Sequence, residues 1–315
     1  MAEILCLGIL VADVIARPVD HYPGPGELNL CDEIRSSIGG CAANTGIGLQ
    51  RLGSETAVIG KVGRDGFGDF VRAVLEGEGI ETSGVVTDPD APTSATMVAV
   101  RSDAERSFVH CVGANATMRP EDVNWQLAAN ATLLHVAGHF LMPGFDGGPC
   151  REVLEEAQRR GLRTSLDTAG HPTSAWPAAL QPLLAHLDYI VPSFSEARHC
   201  VPRAASESPE SVAKFFLDQG TGVVALKMGE SGSYVKSSEE EHRLPAFAVE
   251  AVDATGAGDA FAAGFLAGVL RDLPLAECAL LGNAVGALAV TGMGAIAGLR
   301  SYAETVEFMR TAKRI

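Results

Sequence analysis

The chain has 315 residues, 47% hydrophobic and 20% charged, with 39 acidic against 24 basic side chains for a net charge of −15. That length is enough to bury a core, while the acidic balance disfavours nucleic acid or an anionic membrane surface as partner, so an anionic ligand must be held by local dipoles, a metal or a few placed cations. Seven cysteines, an odd number with no Cys-x-x-Cys pair, fit a reducing compartment, by default the cytoplasm, and not a disulfide framework.

The first apolar run, residues 4–12, lacks a basic leader and runs directly into Asp13, which predicts a buried first strand and not a signal segment. Further strands are predicted at 57–60, 133–137, 163–166, 189–191 and 223–227, with helices at 66–78, 150–160 and 208–219. This alternation predicts an α/β fold with a parallel sheet covered on both faces, whose ligands collect at the carboxyl ends of the strands. Two segments break the rhythm. Residues 14–38 are rich in Pro and Gly, and 94–111 alternate apolar and polar side chains, as surface hairpins do. Residues 278–299 carry no charge and are long enough to span a bilayer, but five glycines interrupt them. They predict a buried helix to about Val290 followed by a glycine-rich loop. With no internal repeat or low-complexity linker, a single domain over 1–315 is expected.

Chemistry concentrates in two glycine-rich helix starts. Asp253-Ala254-Thr255-Gly256-Ala257-Gly258-Asp259 runs straight into an apolar helix pattern. Unpaired amides at a helix N-terminus attract anions, and glycines let a phosphate approach the backbone. By itself the heptapeptide also reads as a tight strand-to-helix turn with an ordinary first-turn acid. The second start, Gly39-Gly40-Cys41-Ala42-Ala43-Asn44, favours the phosphate reading, because Asn44 offers the donor and acceptor that suit a sugar hydroxyl. An acid beside a phosphate cradle is useful as the base for an incoming alcohol, so Asp259 points to phosphoryl transfer to a hydroxyl.

Together the two segments resemble the signature motifs of the ribokinase-like (PfkB) family of carbohydrate and nucleoside kinases. The likeness extends over Gly8 and Asp13, the 60–68 segment, and Lys227-Met228-Gly229-Glu230-Ser231-Gly232. The resemblance implies a three-layer α/β/α sandwich with a mostly parallel central sheet and a small β-sheet lid from about 14–38 and 94–111, which in several members also forms a dimer interface. It implies Asp259 as catalytic base, with Gly256, Ala257 and Gly258 as the anion hole, and Asp13, Gly39, Gly40 and Asn44 as sugar contacts, with Arg106 a candidate from the lid. On the nucleotide side it implies Ser193, Lys227, Gly229, Gly232 and Asn283 beside ATP. Glu196 would position Mg2+ through water, and Asp253 would contribute to a monovalent-cation (K+) site.

The chain departs from that pattern at Ser193 and Phe194, where Asn and an acid are usual, and at Cys41 and Val11, where ribokinase carries Lys and Asn. Ribose is therefore not assured as substrate. The absence of an Arg and Lys cluster on the sugar side favours a neutral acceptor over a phosphorylated one. Phe108, His139 and Phe140 keep a nucleoside acceptor open, and the altered 193–194 pair keeps open a non-catalytic sugar or nucleotide sensor. His135 and His139 lie four apart in a segment that reads as a strand, so no zinc site is expected. Neither a full Gly-x-Gly-x-x-Gly dinucleotide fingerprint nor a P-loop is present.

Overall fold

The computed structural model describes residues 2–103, 105–170, 172–173 and 175–315. Strands β1 (Ile4–Gly8), β2 (Val11–Arg17), β3 (Glu33–Gly39), β4 (Thr56–Gly63), β5 (Glu81–Asp88), β6 (Ala95–Val100), β7 (Arg106–Cys111), β8 (Leu133–His139), β9 (Arg163–Thr168), β10 (Tyr189–Ile190), β11 (Val223–Lys227), β12 (Ser233–Lys236) and β13 (Glu241–Leu244) form two sheets. The larger has the order β13-β12-β11-β10-β9-β8-β1-β4-β5, and every pair in it is parallel except β11–β12 and β12–β13. β1 and β8 are buried throughout and read as unbroken rather than alternating runs because helices cover both faces.

The helices are α1 (Cys41–Arg51), α2 (Gly66–Gly77), α3 (Gly148–Arg159), α4 (Trp176–Leu180), α5 (Phe194–Ala197), α6 (Pro209–Asp218), α7 (Ala257–Leu270), α8 (Leu275–Ala289) and α9 (Tyr302–Thr311). α7 and α8 are apolar on nearly every side, as helices enclosed by other elements must be. Among the described residues no helix is long and apolar enough to cross a membrane. The uncharged 278–299 stretch becomes α8, ending at Ala289, and then a glycine-rich connector. Phe265 of α7 is fully buried, stacked on Phe261 and edge-on to Tyr189. Phe265→Ala should lower the unfolding free energy by about 3–5 kcal/mol, seen as a lower urea midpoint at constant slope. A loss under about 1 kcal/mol would mean that α7 is not packed as described.

The smaller sheet, ordered β3-β2-β6-β7, occupies the two segments that break the sequence rhythm. β2 leaves β1 after only Ile9 and Leu10, and β3 returns through Gly40 into α1, so this sheet hangs from the carboxyl edge of the large one. Its pleat presents Asp13, Ser37, Thr96, Val98, Arg106 and Phe108 to a shared cavity. β5 and the β12–β13 hairpin were not predicted. β5 is half exposed and β13 closes an edge of the sheet, so neither has the continuous apolar run that marks a central strand.

Candidate active site

α7 starts at a residue that only glycine fills without strain: Gly256 has φ 75°, and a Cβ there would meet Ala295 at 2.6 Å. The chain then turns so that the amides of Gly258 and Asp259 precede the first α-helical bond, from Ala260 N–H to the Gly256 carbonyl at 2.8 Å. They stand at the positive end of the helix dipole. Gly48 lets α1 lie close against Ala263 of α7, and this approach brings the two motifs together although 215 positions separate them. Asn44 Nδ2 donates to Asp259 Oδ2 at 2.8 Å, and Thr45 Oγ1 to the Asp259 carbonyl at 3.4 Å. Asn44 Oδ1 is buried without a protein partner among the described residues, which leaves an acceptor for a ligand hydroxyl.

Burial raises the pKa of Asp259, and the bonds from Asn44 and Cys41 and the charge of Lys227 only partly offset it. A carboxylate so placed takes a proton more readily than a solvated one. Cys41 hydrogen-bonds the same carboxylate, and burial followed by that negative charge holds its thiol well above the ordinary range. It is accordingly a neutral neighbour of Asp259.

Lys227 reaches the cradle from the end of β11, with Nζ 2.5 Å from Asp167 Oδ2. Burial opposes its charge, but Asp167, Glu196 and Asp259 raise its pKa, so it remains an ammonium. Ser193 pairs with Lys227 in an isolated parallel bridge and caps α5. Its Oγ donates to Glu196 Oε2 at 2.5 Å, and Thr168 Oγ1 reaches the same oxygen at 3.3 Å. Gly229 and Gly232, both at positive φ, frame the turn after β11, closed by the bond from Met228 N–H to the Gly232 carbonyl at 2.9 Å. Asn283 uses its amide nitrogen on the main chain, donating to the carbonyls of Pro245 at 2.9 Å and Leu244 at 3.3 Å.

A second group of residues surrounds a cavity of 310 Å³ between the small sheet and the 252–255 and 293–295 segments. Asp13 faces it across Gly39, and burial raises its pKa while Thr96 and His110 pull it back. Arg106 Nη1 lies 2.5 Å from Asp253 Oδ1 and also contacts Thr255 Oγ1, so the far strand of the small sheet is tied to the loop that opens α7. Asp253 further accepts from the amides of Thr255 and Gly294, both at 2.9 Å. Burial would raise its pKa, but these donors and Arg106 outweigh it and hold the carboxyl below the ordinary value. The oxygens expected to face a monovalent cation are thus supplied with N–H and O–H donors.

Asp259, Asn44, Lys227, Ser193 and Glu196 therefore meet at one end of the large sheet, while Asp13, Arg106 and Asp253 border the adjoining cavity. Sequence reasoning missed Asp167 and Thr168. Their signal was available, because both stand where β9 reaches the same carboxyl edge that made Asp13 a candidate. His135 and His139 are fully buried on β8, and burial lowers each pKa to about 3. Among the described residues no three His, Cys, Asp or Glu side chains are grouped to hold a metal ion.

The pattern of the pfkB family carbohydrate kinases matches residues 1–301. The chain belongs to that family. An uncharacterized sugar kinase of Archaeoglobus fulgidus is 30% identical over 254 residues, covering 80% of this chain and 98% of the relative. The ribokinase of Staphylococcus aureus is 29% identical, covering 89% and 91%. Among solved structures, the ribokinase of Thermotoga maritima superposes with TM-score 0.83 at 25% identity, covering 99% of this chain and all of that one. That superposition over nearly the whole of both chains shows that the chain has the ribokinase-like fold.

Proposed function

We propose that this pfkB protein transfers the γ-phosphoryl group of ATP to a hydroxyl of a small neutral sugar. The observation that carries the proposal is a part-buried carboxylate, Asp259, held by Asn44 in the first turn of the helix that Gly256 opens. The acceptor hydroxyl gives its proton to Asp259 as its oxygen bonds to the terminal phosphorus, and the bond from that phosphorus to the β–γ bridging oxygen breaks with its electron pair leaving on ADP. The amides of Gly258 and Asp259 receive the charge that gathers on the equatorial oxygens. Lys227 supplies a cation beside them. Asp13 and Asn44 Oδ1 would orient the sugar, with Phe108 over one side of the cavity.

Glu196 fits a water-mediated Mg2+ role, since Mg2+ bound through nucleotide phosphates keeps several waters and needs only one or two protein carboxylates. When bound, that ion would neutralise phosphate charge. Ser193 and Thr168 fix the Glu196 carboxylate in place for it. No step is assigned to K+, because Asp253 is already engaged by Arg106, Thr255 and Gly294. Residues 1–315 would act as one unit, with the small sheet as lid. Homodimerisation through that lid is part of this reading: Ile34, Met97 and Val109 alternate with the cavity-facing side chains and are 69%, 45% and 58% exposed. So is a cytoplasmic setting, which suits seven free cysteines.

A nucleoside acceptor is the second reading, favoured by Phe108, whose ring borders the cavity and is 60% exposed, available to stack on a base. A panel of hexoses, ribose and nucleosides with ATP and magnesium, followed by ADP release, decides between them. Turnover is expected with a free sugar. Turnover with nucleosides alone would replace the sugar reading, and tight sugar binding without any turnover would make the protein a sensor.

A further inference from the structure

Lys227 is set against the mouth of the α7 cradle: a Cβ built on Gly258 would lie 3.2 Å from its Nζ. The lysine side chain is 12% exposed and its partner Asp167 only 4%. Asp167 is fixed in turn, with Oδ1 accepting from the Thr168 amide at 2.8 Å while Oδ2 takes the ammonium. A buried ion pair recovers its desolvation poorly, and apolar residues of similar size usually serve a fold as well or better. The pair also sits at the strand ends where the functional residues collect, away from the middle of the sheet.

Three carboxylates surround this ammonium, those of Asp167, Glu196 and Asp259. Glu196 is bonded by Ser193 and Thr168, and Asp259 by Asn44 and Cys41, whereas Asp167 takes Lys227. Which acid receives the ammonium matters. A lysine paired directly with Asp259 would hold that carboxyl's pKa down and quench the base, and one paired with Glu196 would leave the cradle. A long flexible side chain without an anchor would sample all three.

On the kinase reading above, we propose that Asp167 is a positioning residue for phosphoryl transfer. It holds Lys227 Nζ at the first turn of α7, where the ammonium offsets the charge gathering on the transferred group, and it keeps that ammonium off Asp259.

The test measures kcat and KM with ATP and the best acceptor of the panel, with melting temperature followed in parallel. Lys227→Ala should lower kcat by about 10²–10³-fold, and Asp167→Asn by about tenfold or more with a smaller change in the acceptor KM. If Asp167 acts only through Lys227, K227A/D167N turns over no more slowly than K227A. Ethylammonium added to K227A should restore part of the turnover, and restore less in K227A/D167N, where no carboxylate holds the amine. A purely structural pair would shift melting temperatures without amine rescue. Should D167N be too unstable to assay, the comparison of K227A with K227A/D167N, in which no lysine is left unpaired, carries the result. An active wild type with D167N within twofold in kcat, losses that multiply in the double variant, or equal or absent rescue in both lysine variants would overturn the role of Asp167. A wild type inactive on every acceptor would instead overturn the kinase reading, and this inference with it.

Discussion

Asp259→Asn should lower kcat by about 10³-fold while an unreactive ATP analogue binds as before. The same variant should melt at a higher temperature than the wild type. Both expectations come from one cause, the burial that raises the Asp259 pKa above the ordinary aspartate value of 3.8. The folded chain binds that proton more tightly than the unfolded chain does, so the ionised carboxylate lowers stability at neutral pH. Stability returns only as pH falls through the raised native value toward the unfolded one. Asn carries no charge to desolvate and its amide oxygen can still accept from Asn44, so the cost disappears along with the base. In the wild type, kcat/KM should fall on the acid side with an inflection above 3.8, and no such inflection should remain in the residual activity of the variant. A stable, folded Asp259→Asn protein with turnover within tenfold of wild type would remove Asp259 from the chemistry.

What was legible in the sequence, and what was not, separates by the range of the interaction. The 253–259 and 39–44 segments announce themselves because each is a local solution: glycines for the turn, then an apolar helix, with one polar residue that the helix does not need. β1 and β8 are legible for a similar reason, since strands covered on both faces must be apolar throughout. Partner choice is a property of packing. Nothing within a few residues of Arg106 indicates that it will reach Asp253, 147 positions away, and the side chain expected to bind sugar is also the one that ties β7 to the α7 loop. Asn283 is expected beside the nucleotide; that its amide nitrogen also holds the main chain at 244–245, at the end of a hairpin too short and too exposed to show a strand pattern, has no local signal. Ser193 departs from the family's asparagine but fills a local need, closing a capping box with Glu196. Asp167 escaped notice because an acid after a strand has many uses, and only the ammonium opposite it selects one.

Asp13→Ala should raise the Kd for the sugar by about 10²-fold or more, with a smaller effect on kcat once the sugar is saturating. A carboxylate can accept from two hydroxyls at once, and each hydrogen bond to a charged group contributes about 1.5–3 kcal/mol. The group stands ready for this: it borders the cavity, it is held by Thr96 in the neighbouring strand, and burial has raised its pKa, so ligand hydroxyls that bond its ionised form repay part of that desolvation. Removing it should not destabilise the fold, for the same reason that applies to Asp259. Gly39→Ala supplies an independent check, because a methyl group there would overlap the Asp13 carboxylate and turn it from its place without altering its charge. Calorimetric titration with the acceptor should find both variants folded and weak in sugar binding, and both unchanged toward ATP. Sugar binding by Asp13→Ala within threefold of wild type would move the sugar site elsewhere on the cavity wall, while weak binding in Asp13→Ala with full affinity in Gly39→Ala would show that the carboxylate tolerates displacement and acts through its charge more than through its geometry.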